Sequence, residues 1–339
     1  LTAAVFLLFF GNLLFRSKRD LTVPFFSKDT TTIFKGLACL IVIYVHIPEL
    51  YQNPIQKMIL SFGYVGVSIF FLISAYGMQL SVEKNPTYLK TFWRNRLTSL
   101  LIPTFLVNVL DLAFRMGVLH RQFSPDILIS VCGYVKVLLG YCLWFFLIEH
   151  LRKKTNKNIL CDILLIAGVF GSSLFDYFTH PGVANSSVAN WPYERMGLVW
   201  GFLLYRFRKQ IESVFASKQI QKTFVLMIVS LILGVCYLKF KHEVFWGEYL
   251  LKIILGLAII AFTLCCSRGF GLKGKMCMFI GGISFEVYLI HEITMKVLAN
   301  ITKDLPSGVF IIATVAITII LAAIVNKIAV PLVKIGRSK

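Results

Sequence analysis

The sequence contains no long polar block. Of its 339 residues only 15% are charged, while 57% are hydrophobic and the mean hydropathy is +0.77. Soluble domains run nearer ~45–50% apolar. Length alone would allow two soluble domains, but the apolar runs are spread evenly and leave no polar stretch to build one. Cysteine pairs with metal-ligand spacing are also missing. The eight cysteines, at positions 39, 132, 142, 161, 236, 265, 266 and 277, form no C-x-x-C, which excludes a cysteine-based metal site of that type. Each lies in or beside an apolar run, where a small soft side chain packs between helices. There is no repeat at solenoid spacing and no low-complexity linker. No small-residue cleavage site precedes the basic "RSKRD" at 16–20, which argues against a signal peptide.

Acidic residues are scarce too, 16 against 35 Lys and Arg, for a net charge of +19. An excess of that size would suit nucleic acid, but its distribution excludes that reading. The basic residues stand in short clusters between apolar runs, as membrane topology requires.

A spanning helix needs roughly 20 apolar residues. Eleven runs qualify: 1–15, 33–50, 58–80, 97–114, 126–150, 159–176, 193–207, 223–240, 247–266, 277–298 and 308–333. The run 193–207 is the shortest in apolar core, opening on Glu194 and Arg195, and Lys136 predicts a break or an interfacial stretch in 126–150. Alternate loops differ sharply in charge: one set holds 24 of the 35 Lys and Arg, the other 7. The first set is therefore expected on the cytoplasmic side. The expected fold is all-α, a polytopic transmembrane bundle of about 10–11 spanning helices, with the N-terminus outside and the C-terminus cytoplasmic. Residues 1–29 are expected to form an extra helix and a cytoplasmic linker, and 30–339 a single transmembrane domain.

The stretch "FKGLACLIVIYVHIPEL" at 34–50 poses a problem, because Lys35 opens it and His46 nearly closes it. Ionisable groups inside lipid are expensive. Eleven residues are close to three helical turns, about 16 Å of rise, so both side chains share one face. Lys35 at the inner end reads as a snorkelling interfacial lysine or as the floor of a polar cavity. His46 reads as a satisfied packing residue or as a general base near neutral pH.

Lys-x10-His in "KGLACLIVIYVH" resembles the opening of the acyltransferase-3 family of integral membrane acyltransferases. Four further stretches agree. "GVSIFFLISAYG" at 66–77 is similar to the family's Gly-Val-x-x-Phe-Phe-x-x-Ser-Gly segment, with Ala75 in place of the usual Gly. "FWRNRLTSLLIPT" at 92–104 resembles its basic run into Ile-Pro, with Ser99 where members often carry a further Arg. "SFEVYLIH" at 284–291 resembles its Ser-x-x-x-Tyr-Leu-x-His. "LWFF" at 143–146 is similar to its middle Leu-Trp motif. The likeness runs from about residue 30 to 335.

That resemblance implies transfer of a short acyl group, usually acetyl, from cytoplasmic acetyl-CoA to a hydroxyl of a cell-surface glycan or lipid-linked sugar, in the plasma membrane and without a metal. Arg94, Arg96 and Lys35 are the cations available to the CoA phosphates, with Trp144 as a pantetheine or adenine contact. His46, with Lys35, is the candidate catalytic residue, as base or as acyl carrier. Ser74, Tyr76 and Tyr288 are candidate donors to the thioester oxyanion or the acceptor. His291 and Glu292 complete a second polar patch that would orient acceptor or base. Glu149 and His150, beside "RKK", read as an interfacial ion cluster. The membrane lipid is a partner and nucleic acid is not. A polytopic transporter of a small anion or lipid-linked substrate is the alternative class, but no pair of Gly- or Pro-broken helices stands in corresponding halves.

Overall fold

The computed structural model describes residues 26–52, 54, 57, 60–179, 192–243, 245–269, 274–302 and 305–338. The expected helix at 1–15 lies outside them. Each of the other ten apolar runs contains helix, the run 277–298 as two helices, and no strand occurs among the described residues.

Helix α1 is Lys28–Val45. Its start follows from Ser27, whose hydroxyl accepts from the Thr30 amide at 3.2 Å, with Asp29 in the first turn where the helix dipole favours an anion. Its end follows from Pro48. Proline clashes with the carbonyl four residues back and biases the residue before it away from helix. The helix therefore stops at Val45, with His46 as its cap, and does not run to residue 50.

The remaining helices are α2 Tyr64–Lys84, α3 Phe92–Gly117, α4 Gly133–Thr155, α5 Asn158–Thr179, α6 Met196–Arg206, α7 Arg208–Ala216, α8 Gln219–Phe240, α9 Lys252–Gly269, α10 Lys275–Gly282, α11 Ser284–Ile301 and α12 Ser307–Ser338. Among the described residues, seven segments are long and apolar enough to cross a membrane, eight if the bent pair α10–α11 counts as one span. The molecule is thus an all-α integral membrane protein. The expected ten to eleven spans shrink by this measure for three stated reasons. Residues 1–25 are not described. Helix α1 carries Lys28, Asp29 and Lys35 within 18 residues. Helix α6 has only 11 residues, about 16 Å of a hydrocarbon layer roughly 30 Å thick. Lys136 does not break α4, which runs unbroken past it, but α4 starts only at Gly133, so residues 126–132 of the expected run lie outside the helix.

Loops expected to share a face do meet. Lys153 reaches the Pro86 carbonyl at 3.0 Å and Arg208 pairs with Glu83 at 2.6 Å, at the Lys35 end. Tyr51 donates to the Thr302 carbonyl at 2.7 Å, and the Phe245 amide donates to Tyr177 at 2.7 Å, at the His46 end.

Helix α1 sits centrally, packed on α2 to one side and on α10, α11 and α12 to the other. Small residues set these approaches. A side chain at Gly197 or Gly201 of α6 would collide with the Ser68 or Leu72 carbonyl of α2. This is the small-x-x-x-small packing by which membrane helices approach closely without a hydrophobic drive. A break of 81° separates α10 from α11. It lets α10 lie against the start of α1 while α11 rises beside its far end. Glu149 is the centre of the expected ion cluster: buried, it meets Gln79 at 3.3 Å and Arg152 at 3.2 Å, and Arg152 bridges on to Asp162 at 2.8 Å. His150 stands apart, exposed and turned to the Phe146 carbonyl.

Candidate functional site

Capping α1, the His46 ring folds back on its own helix. Nδ1 lies 2.8 Å from the Val42 carbonyl. A carbonyl only accepts, so Nδ1 carries the hydrogen and Nε2 keeps its lone pair. On α11, His291 repeats the arrangement, Nδ1 donating to the Tyr288 carbonyl at 2.5 Å. His291 is buried, and its Nε2 has no protein partner. The two rings meet edge-on, their centroids 4.8 Å apart at 72°. Glu292 adds a carboxylate. Its Oε1 lies 3.9 Å from His46 Nε2, and its Oε2 accepts from Lys296 at 3.1 Å.

Three donor atoms with free lone pairs therefore converge where α1 ends against α11. The side chain of His46 is 34% exposed and that of Glu292 50%, so the site opens outward from buried His291. Below it stands an aromatic wall. The Tyr288 ring is 5.6 Å from His291 and 5.1 Å from Tyr134. Tyr134 in turn lies 4.8 Å from Phe71 and beside the Ser74 hydroxyl. The structure thus brings His46, His291 and Glu292 to one place with Tyr288 beside them, and Ser74 connects to this group through Tyr134. Tyr134 joins them unforeseen; nothing distinguishes it in sequence from the other twelve of the 13 tyrosines.

The other expected residues lie elsewhere. Tyr76 stacks edge-on against Phe26 at 4.6 Å and Tyr205 at 5.9 Å, at the Lys35 end. Two positions along a helix are 200° apart, so Tyr76 cannot follow Ser74 towards Tyr134. Lys35 is half-buried and feels the charge of Glu286 on α11. Glu286 is buried and accepts from Asn326 of α12 at 3.0 Å. Lys35 thus has a counter-charge inside the bundle, which a merely snorkelling lysine would not need. Arg94 and Arg96 lie on the first turns of α3, not in a loop. Arg96 donates to the Tyr88 hydroxyl at 3.2 Å and sits over the Phe92 ring, while the Arg94 Nε is buried with no partner. Trp144 faces away from this end. Its indole donates to the Leu164 carbonyl at 3.2 Å and lines a cavity of about 390 Å³ bounded by α4, α5 and α6.

A second buried polar cluster escaped the sequence reading. Arg195 pairs with Asp176, Tyr193 donates to Glu248 at 2.9 Å, and Lys252 lies 3.8 Å over the Tyr193 ring. Lys252 interrupts an apolar run as Lys35 does, and that was the available signal. Glu194 and Glu248 provide its counter-charge.

A protein-family model described as an acyltransferase domain matches residues 30–327. Comparison with curated proteins and with solved structures found no significant match. The match covers nearly the whole chain and contains every residue of the site, from Lys35 on α1 to Glu292 on α11. The protein belongs to the acyltransferase-3 family and is a membrane acyltransferase.

Proposed function

We propose that the protein moves an acetyl group from acetyl-CoA to a hydroxyl of an extracytoplasmic or lipid-linked sugar, with His46 as the base. In this reading the Lys35 end faces the cytoplasm, where the excess of basic loops belongs and where acetyl-CoA is found. Arg94, Arg96 and Lys35 hold the CoA phosphates there, and the bundle carries the thioester towards His46.

The chemistry needs a base with an accessible lone pair and a way to hold the proton it takes. His46 Nε2 accepts the hydroxyl proton as the oxygen attacks the thioester carbonyl. The tetrahedral intermediate collapses, the C–S bond breaks, and the imidazolium returns its proton to the CoA thiolate. The products are the sugar ester and free CoA. Glu292, 3.9 Å from Nε2, favours the transient imidazolium. The Ser74, Tyr134 and Tyr288 hydroxyls are the donors nearest to hand for the oxyanion, and His291 orients the acceptor. Should the acyl group pass through His46 as an acyl-imidazole, the same lone pair is the nucleophile.

The observation that carries the proposal is the anchoring of His46 Nδ1 on the Val42 carbonyl, which turns Nε2 to the open side of the site. The test is transfer of labelled acetyl from acetyl-CoA by membranes containing His46→Ala. Transfer should vanish while folded protein accumulates. Retained turnover would remove His46 from the chemistry. Mass spectrometry of surface glycan and lipid with and without the gene separates this function from transport, because only an acyltransferase takes an ester-linked acetyl away with it.

A further inference from the structure

We infer that His46, His291 and Glu292 form a binding site for a borderline divalent metal ion such as zinc, and that an ion seated there blocks acyl transfer. One ligand atom from each of the three residues lies within 4.8 Å of the others. Two imidazoles and one carboxylate are a recognised catalytic-type zinc set, with a fourth position left open. Close approach to an ion at about 2.0–2.2 Å from each ligand needs only a small inward shift of side chains.

Proximity alone would not carry this, since such groups cluster without binding metal. The second observation is the buried His291 Nε2, which has no protein partner and faces the other two groups. An unpaired polar atom in such surroundings is costly, and a metal ion would satisfy it.

A third observation concerns what each ligand does with its other polar atom. His46 Nδ1 is held by the Val42 carbonyl, His291 Nδ1 by the Tyr288 carbonyl, and Glu292 Oε2 by Lys296. Metal-binding histidines almost always donate their second N–H to a carbonyl or carboxylate, and ligating carboxylates are themselves hydrogen-bonded. All three outer contacts are present here, and each leaves the inward atom unprotonated and available. The partly exposed His46 and Glu292 side chains provide the entry path. Magnesium and calcium prefer oxygen ligands, so two imidazoles select against them.

The site stands independently of the reaction. The inhibition rests on the proposed role of His46, because a lone pair given to a metal cannot accept a proton.

The test uses purified, tag-free full-length protein incubated with zinc chloride, with magnesium chloride as control, then desalted and measured for metal content and thermal unfolding. Wild-type protein should retain one zinc per chain and unfold at a higher temperature with zinc but not magnesium. Glu292→Gln, which keeps the shape of the side chain, should weaken zinc binding at least tenfold, and His291→Ala should abolish the thermal shift. Equal zinc retention by wild type and both variants, as cysteine-bound metal would give, overturns the site, and so does no retention by wild type. Acetyl transfer is the separate readout. Inhibition by zinc that is reversed by chelation supports the block. Full turnover with zinc seated overturns the block and the base role of His46, yet leaves the site intact.

Discussion

The imidazoles of His46 and His291 meet edge-on with their centres 4.8 Å apart, although 245 positions separate them in the chain. One caps α1, the other lies on α11, and each is tied to its own helix by Nδ1. Neither ring can turn away without giving up a hydrogen bond. The site is therefore preorganised by two backbone carbonyls rather than by a flexible loop.

Glu292→Gln should slow acetyl transfer about tenfold, roughly 1.4 kcal/mol of lost stabilisation of the imidazolium. Water reaches the half-exposed carboxylate and screens it, so the loss should fall short of that for His46→Ala, which removes a general base worth about 10²–10⁴-fold. Initial rates of labelled acetyl transfer measure both. Unchanged turnover in Glu292→Gln would detach this carboxylate from the reaction.

Replacing Arg94 and Arg96 together with Ala should abolish the rise in unfolding temperature that CoA gives the purified protein. A ligand stabilises the state it binds by mass action, and the two cations near the start of α3 are the groups offered to its phosphates. The same shift in the double variant would make the pair purely topogenic.

Lys35 admits a sharper separation. Lys35→Met alone should destabilise the fold modestly, because it removes a positive charge that acts on buried Glu286. Lys35→Met with Glu286→Gln should recover most of that stability, by double-mutant logic. It should not recover stabilisation by CoA, if Lys35 also contacts the coenzyme. Thermal unfolding with and without CoA reads both terms. A double variant that responds to CoA as wild type does would restrict Lys35 to its charge interaction with Glu286.

Gly201→Val should disrupt the α2–α6 contact, where a β-carbon collides with the Leu72 carbonyl. Overpacking of this kind costs about 1–3 kcal/mol or more, and the variant should lose its monodisperse peak on size-exclusion chromatography. Gly171→Ala, where an added β-carbon meets nothing within 4 Å, should behave like wild type. Equal behaviour of the two would mean that α6 does not depend on close approach.

Much of the architecture was legible locally. Apolar runs of spanning length and the bias of basic residues between alternate loops depend on neighbouring residues only. Ten of the eleven expected runs accordingly contain helix, one of them as the bent pair α10–α11, and the eleventh lies outside the described residues. The shared face of Lys35 and His46 follows from 3.6 residues per turn. Helix ends were less legible: α1 was expected to reach residue 50, yet Pro48 stops it at Val45. That early stop makes His46 the cap of α1, with its ring bonded to Val42.

What the chain alone left open was which helix faces which. Ser74 and Tyr76 looked equivalent along the sequence, yet Ser74 turns to Tyr134 and Tyr76 to Phe26. Trp144 could be read as a packing aromatic or a coenzyme contact, and its indole is bonded towards α5. Tyr134 looked like any other tyrosine and stands at the centre of the aromatic wall. These outcomes depend on rotations of whole helices about their axes, set by close approaches such as Gly36 of α1 on the Cys277 carbonyl and Gly281 of α10 on that of Thr32. Sequence periodicity states which side of a helix is apolar. In a membrane, where lipid and protein interior are equally apolar, it does not state which side faces a partner. That was decided by small residues meeting across hundreds of positions, and with it the meeting of His46 and His291.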